Sequence, residues 1–209
     1  RRGDIEVSKK VENVEGTDIS AENTTEFTFK VTKLQHSGNA ITVNAQKYDV
    51  SVDAIGNEKV TPNENVFTLT EGGSFTMTAR QKVKLLNVPI GTEYKITEAE
   101  ISGYELDLDP TKTKNTSGTT EANKNCSVEF TNKFKPVNIT FRKASTEKPH
   151  TYLSGVKLKI TKTVGEKQVA VVVDGTTNSE GIFEITNKDT GVTLPLEYGT
   201  YTVYEVEAP

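Results

Sequence analysis

The amino-acid sequence predicts an all-β protein built from two tandem Ig-like antiparallel β-sandwich domains. Short runs in which apolar and polar residues alternate recur along the 209 residues, and these runs are rich in threonine, valine and aromatic residues. Clusters of glycine, asparagine, aspartate and proline separate the runs, and no long stretch carries a helical period. An alternation of period two places one face of a strand in the core and the other in solvent. Many short strands joined by polar turns are typical of antiparallel sandwiches.

The alternating runs fall into two sets, separated by the segment "NKFKPVN" at 132–138. A strand ends there, a proline follows and a new run begins at Val137, as expected of a domain boundary. We therefore predict domains at 1–135 and 136–209. The strands expected in the first domain include "IEVSKKV", "TEFTFKVTK", "NVFTLT", "SFTMTA", "TEYKITEAE" and "CSVEFTNKF". Those expected in the second are "VNITFRKAS", "VKLKITKTV", "QVAVVVD", "GIFEITN" and "GTYTVYEVE".

The composition argues against several classes of function. The net charge is −4 and no basic block is present, so we expect no nucleic-acid partner. No apolar run is long enough to cross a membrane, so we expect no membrane contact. The single cysteine, Cys126, cannot form an intramolecular disulfide, and its apolar phase indicates a small buried side chain. His36 and His150 lie in polar segments without ligand-spaced partners, so we predict no metal site and no cofactor.

Ionisable residues occupy the apolar phase of strands at matching places in both predicted domains. On the opening strands, Lys9 shares the phase of Ile5, Val7 and Val11, and Lys143 shares that of Val137, Ile139 and Phe141. Each domain also has a "G-T-x-Y-x-[IV]-x-E" strand, "GTEYKITE" at 91–98 and "GTYTVYE" at 199–205, in the second case one residue shorter. In both strands the final glutamate, Glu98 or Glu205, lies in phase with the tyrosine and the aliphatic residue. An unpaired charge in a core is costly, so each lysine must be paired, neutralised or consumed.

In the last strand of the first domain, the inward-facing series of residues ends with an asparagine. Cys126, Val128 and Phe130 precede Asn132 in that phase. The residues to be brought together are then Lys9, Glu98 and Asn132. One interpretation is a buried ion pair capped by an asparagine hydrogen bond, although desolvation makes such pairs poor sources of stability.

The other interpretation is that these three groups react. Burial lowers the pKa of a lysine and raises that of a glutamate, so a neutral amine and a protonated acid become accessible together. The amine of Lys9 attacks the side-chain carbonyl of Asn132, while Glu98 hydrogen-bonds and polarises the oxygen and shuttles protons so that ammonia leaves. The product is an isopeptide bond made once, so the protein is not an enzyme. Lys10 is the alternative nucleophile if the strand bulges near residue 9, and Asn125 and Asn187 are alternative amides.

Several segments resemble domains of Gram-positive surface proteins. The segments "VNITFRKAS", "YLSGVKLKI", "TTNSEGIFEI" and "LEYGTYTVYEVEAP" resemble collagen-adhesin B-type domains, and the strands of the first domain resemble the pilin isopeptide-linkage domain. The resemblance implies that Lys9 bonds to Asn132 with Glu98 between them, and that Lys143 and Glu205 are the equivalent pair of the second domain. In that family the asparagine follows the "E-x-x-A-P" segment, and the sequence given stops at Pro209. We therefore expect the second domain to lack its last strand and the partner amide of Lys143.

The resemblance implies a structural role. We expect a stalk or shaft segment of a cell-wall-anchored extracellular pilin or adhesin, whose partners are other domains of the same surface protein or other pilus subunits. The alternative is a ligand-binding adhesin module that recognises a host matrix protein or a glycan. The long polar stretch at 45–65 could present such a surface, but no aromatic platform or charged cluster marks a site within it, and a solvated loop is the simpler interpretation.

Overall fold

The computed structural model describes residues 2–63, 65–122, 124, 126–137, 140–164, 166–170, 175–183, 196–197 and 199–208. All regular secondary structure in these ranges is β-strand, and the predicted fold class of tandem Ig-like sandwiches is confirmed. The chain divides into two compact units, which we call unit 1 (Arg1–Phe134) and unit 2 (Lys135–Pro209). The alternative amides Asn125 and Asn187, and Ile139 of the predicted opening strand, lie outside the described residues.

Unit 1 contains twelve strands in its described residues. They are β1 (Arg2–Glu12), β2 (Phe27–His36), β3 (Asn39–Ala40), β4 (Thr42–Val52), β5 (Glu58–Pro62), β6 (Phe67–Thr70), β7 (Ser74–Met77), β8 (Gln81–Pro89), β9 (Thr92–Glu98), β10 (Tyr104–Leu106), β11 (Ser117–Thr119) and β12 (Cys126–Phe134). One sheet has the order β10-β12-β1-β8-β4-β5, with β6 also paired to β4, and the other has the order β11-β9-β2-β3, with β7 paired to β2.

The first and last strands of unit 1 are neighbours that run in the same direction. β1 pairs with β12 in parallel, from Ile5 opposite Cys126 to Glu12 opposite Lys133. On its other side β1 pairs antiparallel with β8. Because β1 is hydrogen-bonded on both sides, it lies in the interior of its sheet and its apolar phase is fully buried.

The core of unit 1 is formed by the inward phases of both sheets. Phe29 lies against Phe75 and Phe130, with ring centroids 5.3 and 5.1 Å apart, so aromatic side chains from both sheets meet there. The other largest fully buried side chains are aliphatic, sulfur-containing or aromatic, namely Ile5, Val7, Val11, Phe27, Leu34, Met77, Leu85 and Ile96.

A tight turn carries the chain from one sheet of unit 1 to the other. It joins β8 to β9, and its Gly91 has φ +85°. A residue with a Cβ rarely adopts that left-handed backbone conformation, so glycine suits this position. The turn starts β9 on the opposite sheet, and Glu98 at the end of β9 therefore faces β1 and β12 across the core.

Unit 2 contains seven strands in its described residues. They are β13 (Pro136–Val137), β14 (Phe141–Arg142), β15 (Lys157–Val164), β16 (Lys167–Ala170), β17 (Ile182–Phe183), β18 (Leu196–Glu197) and β19 (Tyr201–Glu207). β15 lies between β16 and β19, β13 pairs with β18, and β14 pairs with β17, all antiparallel. Its buried core includes Ile160, Phe183 and Leu196.

Candidate functional site

Lys9 is a buried lysine on the inward face of β1. Its flanking apolar neighbours in the same phase are completely buried, and Lys9 itself is only 3% exposed. A charged amine at such a position loses most of its hydration, and only neighbouring polar groups can compensate. The alternation of the sequence led us to expect Lys9 on this face.

The side chain of Asn132 meets this amine from the neighbouring strand. In the parallel register Lys9 lies opposite Phe130 and Val11 lies opposite Asn132, so Asn132 is two positions further along β12. The extended lysine side chain spans that diagonal, and Lys9 Nζ donates a hydrogen bond of 2.9 Å to Asn132 Oδ1. Asn132 is 2% exposed, so the contact is shielded from water.

Glu98 completes the group from the opposite sheet. It ends β9, where it pairs with Phe29 of β2, and its side chain is 2% exposed. Asn132 Nδ2 donates a 2.5 Å hydrogen bond to Glu98 Oε1, and Glu98 Oε2 lies 3.5 Å from Lys9 Nζ. The fold thus brings together the three residues that the sequence selected.

Burial shifts both ionisable groups toward their neutral forms. Desolvation lowers the pKa of Lys9 from 10.5 to about 8, against the opposing attraction of Glu98. Desolvation also raises the pKa of Glu98 above its ordinary value, although Lys9 and the hydrogen bond from Asn132 act in the other direction. Glu98 Oε2 is buried and accepts no hydrogen bond from any described residue, which favours a proton on that oxygen. A neutral amine beside a protonated carboxylic acid is therefore an accessible state.

Two further groups hold the amine in place. Lys9 Nζ donates a 2.8 Å hydrogen bond to the backbone carbonyl of Lys10, and it lies 4.3 Å from the centroid of the Phe27 ring. A neutral amine has two N–H donors and one lone pair. In the structure the two donors are on the Lys10 carbonyl and on Asn132 Oδ1. If the second donor turns to Glu98 Oε2, 3.5 Å away, the lone pair of the neutral amine is left for the carboxamide of Asn132. Sequence reasoning did not identify Phe27, although its place in the alternating run of β2 was a usable signal.

The orientation of the carboxamide differs from the predicted one. We expected Glu98 to hydrogen-bond the oxygen of Asn132, whereas Glu98 contacts the nitrogen and Lys9 contacts the oxygen. A rotation of 180° about χ2 exchanges these two atoms, which have nearly the same shape. In the present rotamer Glu98 is placed to protonate the departing nitrogen, and in the other it is placed to polarise the carbonyl.

The alternative nucleophile, Lys10, lies on the outer face of the same strand. Its side chain is 49% exposed, and its Nζ lies 3.6 Å from Glu129 Oε1. The pairing of β1 with β12 runs without a register shift from Ile5 to Glu12, so no bulge turns Lys10 inward.

A second contact between an asparagine and a carboxylate in unit 1 lacks the same chemistry. Asn63 Nδ2 donates a 2.5 Å hydrogen bond to Asp49 Oδ1. Asp49 is exposed, however, and hydrogen bonds from Gln81 and Asn63 lower its pKa. An ionised carboxylate cannot donate a proton, so this asparagine is not activated.

In unit 2, Lys143 and Glu205 form an ion pair, but in a different environment. Lys143 Nζ lies 2.6 Å from Glu205 Oε2, while the two side chains are 34% and 36% exposed. The expectation that both occupy a buried apolar phase is wrong for Glu205, because the middle and end of β19 are exposed. Among the described residues, β15 is the only strand that pairs with β19. No described asparagine contacts this pair.

The described residues contain no group of three or more histidine, cysteine, aspartate or glutamate side chains that could hold a metal ion. In the same residues we find no helix with the length and apolar character needed to span a membrane.

Comparison with known protein families assigns the first part of the chain. Residues 3–134 match the family described as Domain of unknown function (DUF7601). The chain belongs to this family. In this DUF7601 chain, residues 137–209 match a second family, the prealbumin-like fold domain SpaA. This second match confirms the resemblance to Gram-positive pilin and surface-adhesin domains that was inferred from the sequence. No curated protein matches the DUF7601 chain.

Solved structures similar to this DUF7601 chain include pilus proteins. A pilus-presented adhesin is 14% identical with a TM-score of 0.44, and the match covers 65% of this chain and 28% of the adhesin. The major pilin T3.2 of Streptococcus pyogenes is 20% identical with a TM-score of 0.39, covering 65% and 46%. A streptococcal ancillary pilin is 17% identical with a TM-score of 0.33, covering 99% and 54%. The chain thus spans only about a quarter to a half of the length of these proteins.

Proposed function

We propose that this chain is a stalk or shaft segment of a Gram-positive pilin or surface adhesin, stabilised by an autocatalytic isopeptide bond between Lys9 and Asn132. The observation that carries the proposal is the buried contact of Lys9, Glu98 and Asn132, with a 2.9 Å separation between the lysine nitrogen and the amide oxygen. A buried charged pair is a weak source of stability, so a purely structural reason for this arrangement is poor.

The reaction is a transfer of the Asn132 acyl group from nitrogen to nitrogen. The neutral amine of Lys9 attacks Cγ of Asn132, and a new N–C bond forms as the carbonyl becomes tetrahedral. Glu98 gives its proton to the departing Nδ2 and recovers a proton from the lysine nitrogen. The Cγ–Nδ2 bond breaks, ammonia leaves, and Glu98 ends as it began. The fold holds the reactants together, so most of the rate advantage comes from proximity.

The environment of the site favours this step. Lys9 and Asn132 are 3% and 2% exposed, which limits access of water to the reacting carbonyl. Phe27 covers the amine, and the Lys10 carbonyl restrains it. Exclusion of water also strengthens each electrostatic contact within the group.

The position of the bond suits a protein under tension. Lys9 and Asn132 are 123 residues apart in sequence and lie on neighbouring parallel strands. A force applied at the two ends of unit 1 would enter β1 and leave from the end of β12. With the bond in place, the load passes from residue 9 to residue 132 and the residues between them carry none. A protein with one cysteine cannot obtain this protection from an intramolecular disulfide.

The remaining assignments follow from the resemblance. Residues 1–135 are proposed to be a pilin isopeptide-linkage-type sandwich and residues 136–209 a collagen-adhesin B-type sandwich. In the latter, Lys143 and Glu205 would be the candidates equivalent to Lys9 and Glu98, without an asparagine partner in the sequence given. The match of 137–209 to the prealbumin-like fold domain supports the second assignment. The parent protein would be extracellular and anchored to the cell wall, and its partners would be neighbouring domains or other pilus subunits.

The deciding experiment is the intact mass of the denatured protein. We expect a mass lower than the sequence mass by one ammonia, and an unmodified mass for a Lys9→Ala variant. A Lys10→Ala variant is the matched control and should still lose ammonia. An unmodified mass for the unmutated protein would contradict the proposal, as would a loss of ammonia that persists in Lys9→Ala.

A further inference from the structure

Tyr104 is a buried tyrosine that links the two sheets of unit 1 beside the Lys9 site. It opens β10, where it lies opposite Phe134 in the antiparallel pairing with β12. The Tyr104 ring is stacked on that of Phe134, with ring centroids 4.9 Å apart. It also meets the ring of Phe27 from the other sheet edge to face, at 5.2 Å and an angle of 79°. Tyr104 therefore contacts both the strand that carries Asn132 and the ring that covers Lys9.

The hydroxyl of Tyr104 is held by two side chains from the segment between β1 and β2. Asn23 Nδ2 donates a 3.0 Å hydrogen bond to the Tyr104 oxygen, and Thr25 Oγ1 lies 2.7 Å from the same oxygen. Asn23 is itself only 8% exposed, and its Oδ1 accepts the backbone N–H of Thr25. A buried ring that is packed along its face and hydrogen-bonded at its tip cannot tilt or slide without breaking one of these contacts.

The position of the Lys9 amine depends on Phe27. Lys9 Nζ lies 4.3 Å from the centroid of the Phe27 ring, and Phe27 is fully buried. A lysine has a flexible four-carbon stem, so its nitrogen stays beside the amide of Asn132 only if the surrounding groups hold it there. A misplacement of about 1 Å can cost roughly 100-fold in rate. A ring that could shift would also admit water to the amine, whose pKa is lowered by desolvation.

We propose that Tyr104 is a positioning residue for the bond-forming step, because it fixes the Phe27 ring against the Lys9 amine and anchors β10 on β12. The inference rests on the proposed bond between Lys9 and Asn132. Leu106, at the other end of β10, lies opposite Asn132, so the same short strand borders both the ring contact and the reacting amide. A purely apolar cluster could fill this space, whereas a satisfied network of buried hydroxyl and amide groups also fixes orientation.

The first test is the rate of ammonia loss in Tyr104→Phe, which keeps the ring and removes only the hydroxyl. Chains labelled in a short pulse during expression are denatured at increasing times, and the fraction that has lost ammonia is measured by mass spectrometry. We expect the rate to fall by roughly ten-fold, which is part of what a misplacement of about 1 Å can cost. Tyr94→Phe is the matched control, because Tyr94 is also buried and its hydroxyl contacts Cys126 at the start of β12. The control should react like the unmutated chain.

A second measurement separates positioning from a general loss of stability. In an Asn132→Ala background, which cannot form the bond, the pKa of Lys9 is followed by the NMR shift of its ¹³Cε. Adding Tyr104→Phe should raise this pKa from about 8 toward the ordinary 10.5, because water gains access to the amine. Glu98 is the carboxylate that faces the amine in both chains, so its attraction is common to them. A tyrosine that only stabilised the fold would leave the pKa of Lys9 unchanged.

The inference is wrong if Tyr104→Phe loses ammonia at the rate of the unmutated chain, if the pKa of Lys9 does not rise, or if Tyr94→Phe is slowed equally. If Tyr104→Phe does not fold, Thr25→Val decides the question, because it keeps the side-chain shape and removes one hydrogen bond to the Tyr104 hydroxyl. Thr25→Val should then react roughly two- to ten-fold more slowly, and an unchanged rate would contradict the inference. An unmutated chain that never loses ammonia would overturn the proposed bond itself, and this inference with it. Normal loss in the unmutated chain without an effect of Tyr104→Phe would overturn this inference alone.

Discussion

Replacement of Asn132 by alanine should separate the effect of the covalent bond from that of the fold. The variant keeps Lys9 and Glu98, which lie 3.5 Å apart and can still neutralise each other. It removes the only group with which Lys9 is proposed to react. The inward face of β12 otherwise keeps its apolar residues, so unit 1 should still fold.

The expected loss of stability follows from the size of the ring that the bond closes. Its ends are 123 residues apart in sequence. For a loop of this length the chain-entropy model of a cross-link gives about 5 kcal/mol at 25 °C. With an unfolding entropy of about 2.1 cal/mol/K per residue over unit 1, the ring alone corresponds to a fall in Tm of about 18 °C.

The assay is differential scanning calorimetry of the full chain, with the intact mass measured on each sample. Two compact units are expected to give separate transitions, of which only that of unit 1 should move strongly. Asn63→Ala is the matched control, because Asn63 also makes a 2.5 Å hydrogen bond to a carboxylate but closes no ring. We expect that control to lose about 1 kcal/mol or less.

One result would refute this reasoning. If the unmutated protein has lost ammonia and yet Asn132→Ala melts within about 5 °C of it, the ring does not restrict the unfolded chain as the loop-entropy model requires. An equal fall for Asn63→Ala would mean that the loss of an amide hydrogen bond, and not of the cross-link, causes the effect.

Three further predictions concern the rate and the mechanics of the bond. Glu98→Gln should slow the loss of ammonia by roughly 100-fold or more, because general acid–base catalysis by Glu98 is removed. The loss of ammonia is followed by mass spectrometry after refolding, and an unchanged rate would exclude this role of Glu98. The rate for the unmutated protein should depend on pH, because only a neutral Lys9 beside a protonated Glu98 reacts. The rate should fall above the pKa of Lys9, about 8, where the pair loses the proton on Glu98, and it should also fall at acid pH, where both groups are protonated. A rate independent of pH would contradict this. When single molecules are pulled at the ends of unit 1, Asn132→Ala should extend further than the bonded protein by roughly 400–440 Å. This length is that of the 123 residues between the bonded positions at about 3.3–3.6 Å per residue. Equal extensions of the two proteins would show that no bond carries the load.

The sequence alone determined which residues face inward in unit 1. A strand has a period of two, so burial of Ile5, Val7 and Val11 requires that Lys9 be buried with them. The same periodicity selected Glu98 and Asn132. Because alternation is a local property of the backbone, it could be recognised without knowing which strands are neighbours.

The same argument failed for Glu205, whose strand alternates equally well. Burial depends on what covers the inward face, and the side chains of β19 are largely exposed. Periodicity predicts a face, but packing decides whether that face is covered. The orientation of the Asn132 amide was also beyond sequence reasoning, because it depends on side-chain positions across the core.

Only the tertiary structure decided which groups touch. It placed β1 beside β12 in parallel, brought Glu98 from the other sheet to within 3.5 Å of Lys9, and left Lys10 outside. It also brought Lys47, Phe67 and Phe75 into the lining of one groove. The alternation of residues along a strand is set by local backbone geometry, whereas contacts between residues distant in sequence depend on strand order and register, which arise only when the chain packs.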